Sequence, residues 1–142
     1  MVDMLRSRHK NKTFTTLLAA LLGGVGIHRF YLRGLQDRWG WLHASALPAC
    51  GLVMSAAPTA DWYFWYLPLT ISTLAGCLEA LVLGLMPDEK WDARYNADSG
   101  RTSASRWPLA LLLVATLMVG AGLLIATMAR LFDLLYTGGA YG

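Results

Sequence analysis

A carboxylate inside an apolar run is the residue here best equipped for chemistry. Glu79 stands within "LTISTLAGCLEALVLGL", residues 69–85, about seven residues or roughly 10 Å from the end of the run. A charge at that depth is costly and normally faces a bundle interior with a partner. Glu79 could act as a proton or cation site, or as a lock to a basic residue. The lock is preferred, because Arg29 follows another apolar run and an arginine can extend inward while its stem packs on apolar surface. His43, about one turn into its own apolar segment, is expected at headgroup level rather than bonded to Glu79. His28, His43 and Glu79 are too scattered to read as a metal set: no pair has i,i+4 spacing, so no metal and no cofactor is expected. With no Ser-His-Asp set, phosphate-cradling loop or haem motif, no catalytic residue is assigned, and an enzyme is not expected.

Apolar segments must position these residues. The chain has 142 residues, 56% hydrophobic and only 15% charged, against roughly 25% charged in soluble domains. Residues 39–57, 62–78 with 80–86, and 107–129 approach or exceed the roughly 20 residues that cross a bilayer. Residues 13–27 are shorter, about 15 residues or roughly 22 Å as a helix, and suit a half-membrane or re-entrant helix loosened at its end by Gly23, Gly24 and Gly26. "HRFYLRGLQDR", residues 28–38, reads as a basic connector. Pro48 should kink the second segment. Trp39, Trp41 and "WYFWY" suit interface belts. Residues 87–106 read as a polar loop, beginning with a short amphipathic helix. The expected fold is all-α: an integral membrane helical bundle with three full spans plus one short N-terminal half-membrane or re-entrant helix. Its parts are a basic cytoplasmic tail (1–12), a membrane domain (13–106) and an additional transmembrane helix with a short tail (107–142).

The net charge of +3 comes from 12 Lys and Arg against 9 Asp and Glu. If residues 13–27 dip in and return, eleven of the twelve basic residues share one face, and only Arg130 lies on the other. A full first span would split them five to seven. The positive-inside rule therefore places residues 1–12, 28–38 and 87–106 in the cytoplasm and the C-terminus outside. Basicity of this kind meets anionic lipid headgroups, and nucleic acid is not expected as a partner. The N-terminal basic and apolar stretches resemble a signal peptide, but no small-x-small cleavage site follows, so the segment is expected to be retained. Cys50 and Cys77 read as small packing residues rather than a bridge. Small residues recur every fourth position at Gly76, Ala80 and Gly84, at Ala20 and Gly24, and at Gly122 and Ala126. Such faces let helices approach closely, within the bundle or between copies. "DARYNADSG", with Asp92, Asn96, Asp98 and Gly100, fails calcium-loop spacing and reads as a solvated turn.

"GGVGIHRFYLRG", residues 23–34, preceded by a short apolar helix and a lysine-bearing tail, resembles the two-transmembrane-segment (TM2) domain family. Its motif runs through Gly23, Gly24, Gly26, His28, Arg29, Phe30 and Tyr31, and "LEALVLGLMPDEKWDARYN" is similar to the acidic last span and polar tail of members, with Glu79 at the acidic position. The likeness covers roughly residues 10–98. Arg33 stands where members carry a glycine, and the last apolar segment lies outside the domain. The resemblance implies that residues 28–30 lie in a cytosolic linker, and it carries no enzymatic activity with it.

Two functions remain open. One is a structural or accessory subunit, or scaffold, in a larger membrane complex, with membrane lipids and other membrane subunits or further copies of itself as partners. The other is a homo-oligomeric ion or proton channel or transporter using Glu79. The expected location is a bacterial inner (cytoplasmic) membrane.

Overall fold

The computed structural model describes residues 9–141, and over these the chain is helical with no strand. Helix α1 (Lys12–Leu22) starts where the Asn11 side chain accepts the Phe14 N–H at 3.0 Å, which satisfies one of the amides a helix start leaves orphaned. A single tight turn, Gly23–Val25, ends it. Gly26, at φ +77°, then reverses the chain into α2 (Ile27–Arg33). Contacts between the two arms show the return: the Tyr31 ring meets Phe14 edge-on at 5.4 Å, and the Lys10 ammonium donates to the Leu32 carbonyl. Eleven residues rise roughly 16 Å, about half the hydrocarbon thickness. The first segment is thus a short helix that turns back on itself at Gly26, and most of the stretch expected to be a connector is helical.

Asp37 starts α3 (Arg38–Ala44) by accepting the Trp39 N–H at 2.9 Å, and α4 (Ala46–Ala56) follows. Asp61 likewise caps α5 (Trp62–Leu85), accepting from Tyr63 at 2.9 Å. Then come α6 (Asp88–Tyr95) and α7 (Trp107–Thr137), which has Pro108 in its first turn and ends at Gly138, φ +69°. Among the described residues two helices are long and apolar enough to cross a membrane, α5 with 24 residues and α7 with 31. The expectation of three full spans is corrected at residues 39–57. Pro48 has no N–H to give Ala44, and its ring crowds that carbonyl, so the helix stops at Ala44 and restarts at Ala46. The last helix runs nine residues beyond Met128.

Helix α5 is the axis, packed against α1, the Gly23–Val25 turn, α4 and α7. Its small residues allow this. A Cβ on Gly76 would lie 2.6 Å from Gly23 Cα, and one on Gly84 would lie 2.5 Å from Leu113 and 3.1 Å from Thr16. Ala80 between them is fully buried. Ala20 packs on the core formed by Ala19, Leu32, Ala80, Leu83 and Trp91. Gly122 and Ala126 behave differently. Nothing lies within 4 Å of a Cβ on Gly122, and both residues are exposed. Among the described residues they take no part in bundle packing. Leu111, Met118, Val119 and Ile125 on α7 are exposed as well, an apolar surface that suits lipid or a partner. Cys50 and Cys77 are free thiols, and Cys77 is buried against Gly120.

One end of the bundle is tied by polar groups. Lys12 Nζ meets Asp88 Oδ1 at 2.9 Å and Ser105 Oγ at 3.1 Å, and it also donates to the Met86 carbonyl. The Trp91 indole N–H and the Asn96 amide both donate to the Lys10 carbonyl at 3.1 Å. Asp92 accepts the Ser103 N–H and hydroxyl, each at 2.6 Å. "DARYNADSG" is therefore not a solvated turn, since Asn96 and Ser99 are buried. Burial pushes the Asp88 carboxyl up, but the Ser105 hydroxyl and N–H and the Lys12 ammonium outweigh it and hold it at about 2, below its usual 3.8. Arg6 and Arg8 of the expected tail lie outside the described residues. The opposite end carries a smaller clasp, in which Arg130 meets Asp61 at 2.9 Å and Asp133 at 2.8 Å.

Candidate functional site

The glycines of "GGVGIHRFYLRG" bring α2 under α5. Gly23 crosses Gly76 in backbone contact, and a Cβ on Gly24 would lie 2.5 Å from Thr73 Oγ1. At Gly26 a side chain would meet the Gly40 carbonyl at 2.7 Å and His43 Cβ at 2.9 Å, and its φ of +77° already favours glycine. On the far side Phe30 fills the space over Gly40, edge-on to Trp41 at 5.3 Å. Gly34, φ +75°, ends α2 one position after Arg33. Motif glycines are thus points of close approach, and the motif's polar residues arrive at α5 as a result.

They arrive at Glu79. Arg29 Nε lies 2.8 and 3.0 Å from its two carboxylate oxygens, and Arg29 Nη2 donates to Oε1. This fork is the geometry in which an arginine binds a carboxylate most strongly. His28, fully buried, donates from Nε2 to Oε2. That leaves its Nδ1 buried with no partner among the described residues. His43 Nε2 lies 3.6 Å from Oε1. Its Nδ1 is 2.7 Å from Ser72 Oγ, whose single hydrogen goes to the Gly24 carbonyl at 2.7 Å, so Nδ1 carries the ring's proton. His43 is therefore buried beside Glu79 and not at headgroup level, which corrects the expectation. Asp37 supplies a second carboxylate, 3.6 Å from Arg29 Nη1 and 3.8 Å from Arg33 Nη1.

The structure brings together Arg29 and Glu79, the pair singled out from the sequence. It adds His28, His43, Ser72 and Asp37. Tyr31 stands apart, against Phe14 on the α1 side. Trp91, fully buried with its ring 4.6 Å from Tyr95, gave no sign of burial in a polar stretch. Among the described residues no group of three His, Cys, Asp or Glu side chains is arranged to hold a metal. Chemically, the arrangement holds a carboxylate in place with N–H donors partway along an apolar helix.

No curated protein and no solved structure matches the chain. A family model does: the TM2 domain, over residues 8–55. That stretch holds the hairpin, α3 and nearly all of α4, with His28, Arg29, Asp37 and His43. It is shorter than the resemblance read from the sequence, and Glu79 lies beyond it. The matched stretch therefore supplies the groups that donate to Glu79, and Glu79 itself comes from outside it. Over its described residues the chain is helical, residues 8–55 match the TM2 domain family, and that match together with two helices long and apolar enough to cross a bilayer suggests a membrane protein.

Proposed function

We propose that the protein is a structural or accessory subunit of a membrane assembly, set in a bacterial inner membrane with the Lys12–Asp88 end in the cytoplasm. The observation that carries this reading is the occupation of Glu79 by Arg29 and His28. A carboxylate held by a bidentate arginine is committed to holding α2 on α5, where a broken pair strands a buried charge. The outward face of α7 supports the same reading: its apolar residues, with Gly122 and Ala126, are open to another helix. Affinity purification from native membrane tests it. Defined membrane proteins, or further copies of the chain, should travel with the wild type. They should be lost from Gly122→Leu/Ala126→Leu and from a chain ended after Ser105. A chain purified alone, or unchanged association in both variants, overturns the reading. Labelling Arg33→Cys in intact cells tests the orientation, and reaction with an impermeant reagent from outside would reverse it.

One observation favours the second reading, an ion or proton conduit. Glu79 lines two cavities, one shared with Arg33 and Tyr95 and one shared with Trp39 and Ala49 between α3, α4 and α5. Purified protein in liposomes should then pass protons or alkali cations, and Glu79→Gln should abolish the flux.

A further inference from the structure

We propose that the cavity beside Glu79, at the Lys12–Asp88 end, binds the phosphate of an anionic phospholipid. The cavity encloses about 150 Å³, enough for a headgroup phosphate and its first carbons. Three arginines line it, Arg29, Arg33 and Arg94, against two carboxylates, Asp37 and Glu79, leaving one positive charge in excess. The two carboxylates are already engaged by Arg29, and Asp37 also by Arg33. Arg94 meets no carboxylate within ion-pair distance among the described residues and lies over the Tyr95 ring at 5.6 Å. A guanidinium left in this state suits a phosphate, which it can grip with two parallel N–H bonds. His28 is fully buried, lines the same cavity, and its unpartnered Nδ1 can accept from a headgroup hydroxyl.

The remaining wall selects a lipid over a free anion. Val82 and Met86 line the cavity on α5, and Val82 is exposed on the outside of the bundle. A phosphate at Arg33 and Arg94 would therefore continue into an apolar chain along α5. Basic groups near a membrane surface attract anionic lipid. Here two of them converge on one cavity rather than spreading along a loop. The inference rests on the membrane setting proposed above but not on the orientation or the partner.

Full-length protein in a neutral detergent, titrated with short-chain phosphatidylglycerol, phosphatidylcholine or inorganic phosphate, tests it by native mass spectrometry and thermal melting. Phosphatidylglycerol should bind about tenfold more tightly than phosphatidylcholine and raise the melting temperature. Arg94→Gln should lower that preference roughly fivefold, and Arg33→Gln/Arg94→Gln should abolish it, with the lipid-free melt nearly unchanged. Arg94→Gln alone carries the test if the double variant melts early, because Arg94 is exposed. Equal binding of the two lipids, or an undiminished preference in Arg94→Gln, overturns the proposal. A full stabilisation by inorganic phosphate alone overturns the lipid assignment. Either failure leaves the co-purification test of the scaffold reading untouched.

Discussion

Two ion pairs hold α5, and they differ in depth. Near its start, Asp61 meets Arg130 of α7 at 2.9 Å; about six residues before its end, Glu79 meets Arg29 and His28 of α2. Their exposures are similar, 25% for the Asp61 side chain and 24% for Glu79, yet their settings are not alike. Asp61 is the cap of its helix, where water and headgroups can take over the lost contact. Glu79 lies inside the apolar run, and its surroundings offer no substitute for the motif's donors. The same kind of bond therefore closes an end in one place and fixes a fold in the other.

The largest expected effect breaks the deeper pair. Arg29→Ala and Glu79→Ala should each destabilise by about 3–5 kcal/mol, because each strands its partner. The double variant should lose less than the sum, and Arg29→Lys should recover only part. Thermal melts of the four proteins in detergent measure this, and strictly additive losses would remove the contrast with Asp61. Next comes the crossing that delivers Arg29 to Glu79. Gly76→Ala places a methyl against Gly23 backbone, and overpacking of that kind costs about 1–3 kcal/mol. Gly122→Ala, with open space around it, should change the melt of the isolated chain by much less.

Breaking the shallow pair should cost less again. Arg130→Ala or Asp61→Asn is expected to lose up to about 1 kcal/mol, more at low than at high salt. A loss equal to that of Glu79→Ala would place the two pairs in the same environment. The smallest effect is acid-dependent and belongs to the polar end. The Asp88 carboxyl is held at about 2, below its ordinary 3.8. A depressed carboxyl contributes stability above its unfolded value and loses it as pH falls through the folded one. The melting difference between wild type and Asp88→Asn should thus be present at about pH 5 and shrink toward about pH 2. A difference independent of pH over that range would assign the role of Asp88 to packing.

The Glu79–Arg29 pair was legible because a lone acid in an apolar run needs a partner, and the charge count allowed few. The limits of α5 were legible for a related reason: Asp61 and Pro87 bracket an apolar stretch whose one charged residue is Glu79. His28 was harder to place. Its bond spans 51 positions, and the crossing of Gly23 on Gly76 that permits it has no local signature. Trp91 was hidden for a similar reason. It sits among Asp88, Glu89, Lys90 and Asp92, and its burial depends on the Lys10 carbonyl 81 positions away. The break at Ser45 was half legible: Pro48 announced a kink, but whether a proline bends a helix or divides it depends on how the freed carbonyl is accommodated.

The hairpin imposes an order on the protein's birth. Its donors come off the ribosome first, and Glu79 follows 50 positions after Arg29. At typical synthesis speeds that interval is roughly 3–10 s. During those seconds a guanidinium, an imidazole and a row of bare glycines have no helix to rest on. The hairpin's contacts with α5 can form only once α5 has been made. The motif that matches the family is thus seated no earlier than α5, although it is made before it.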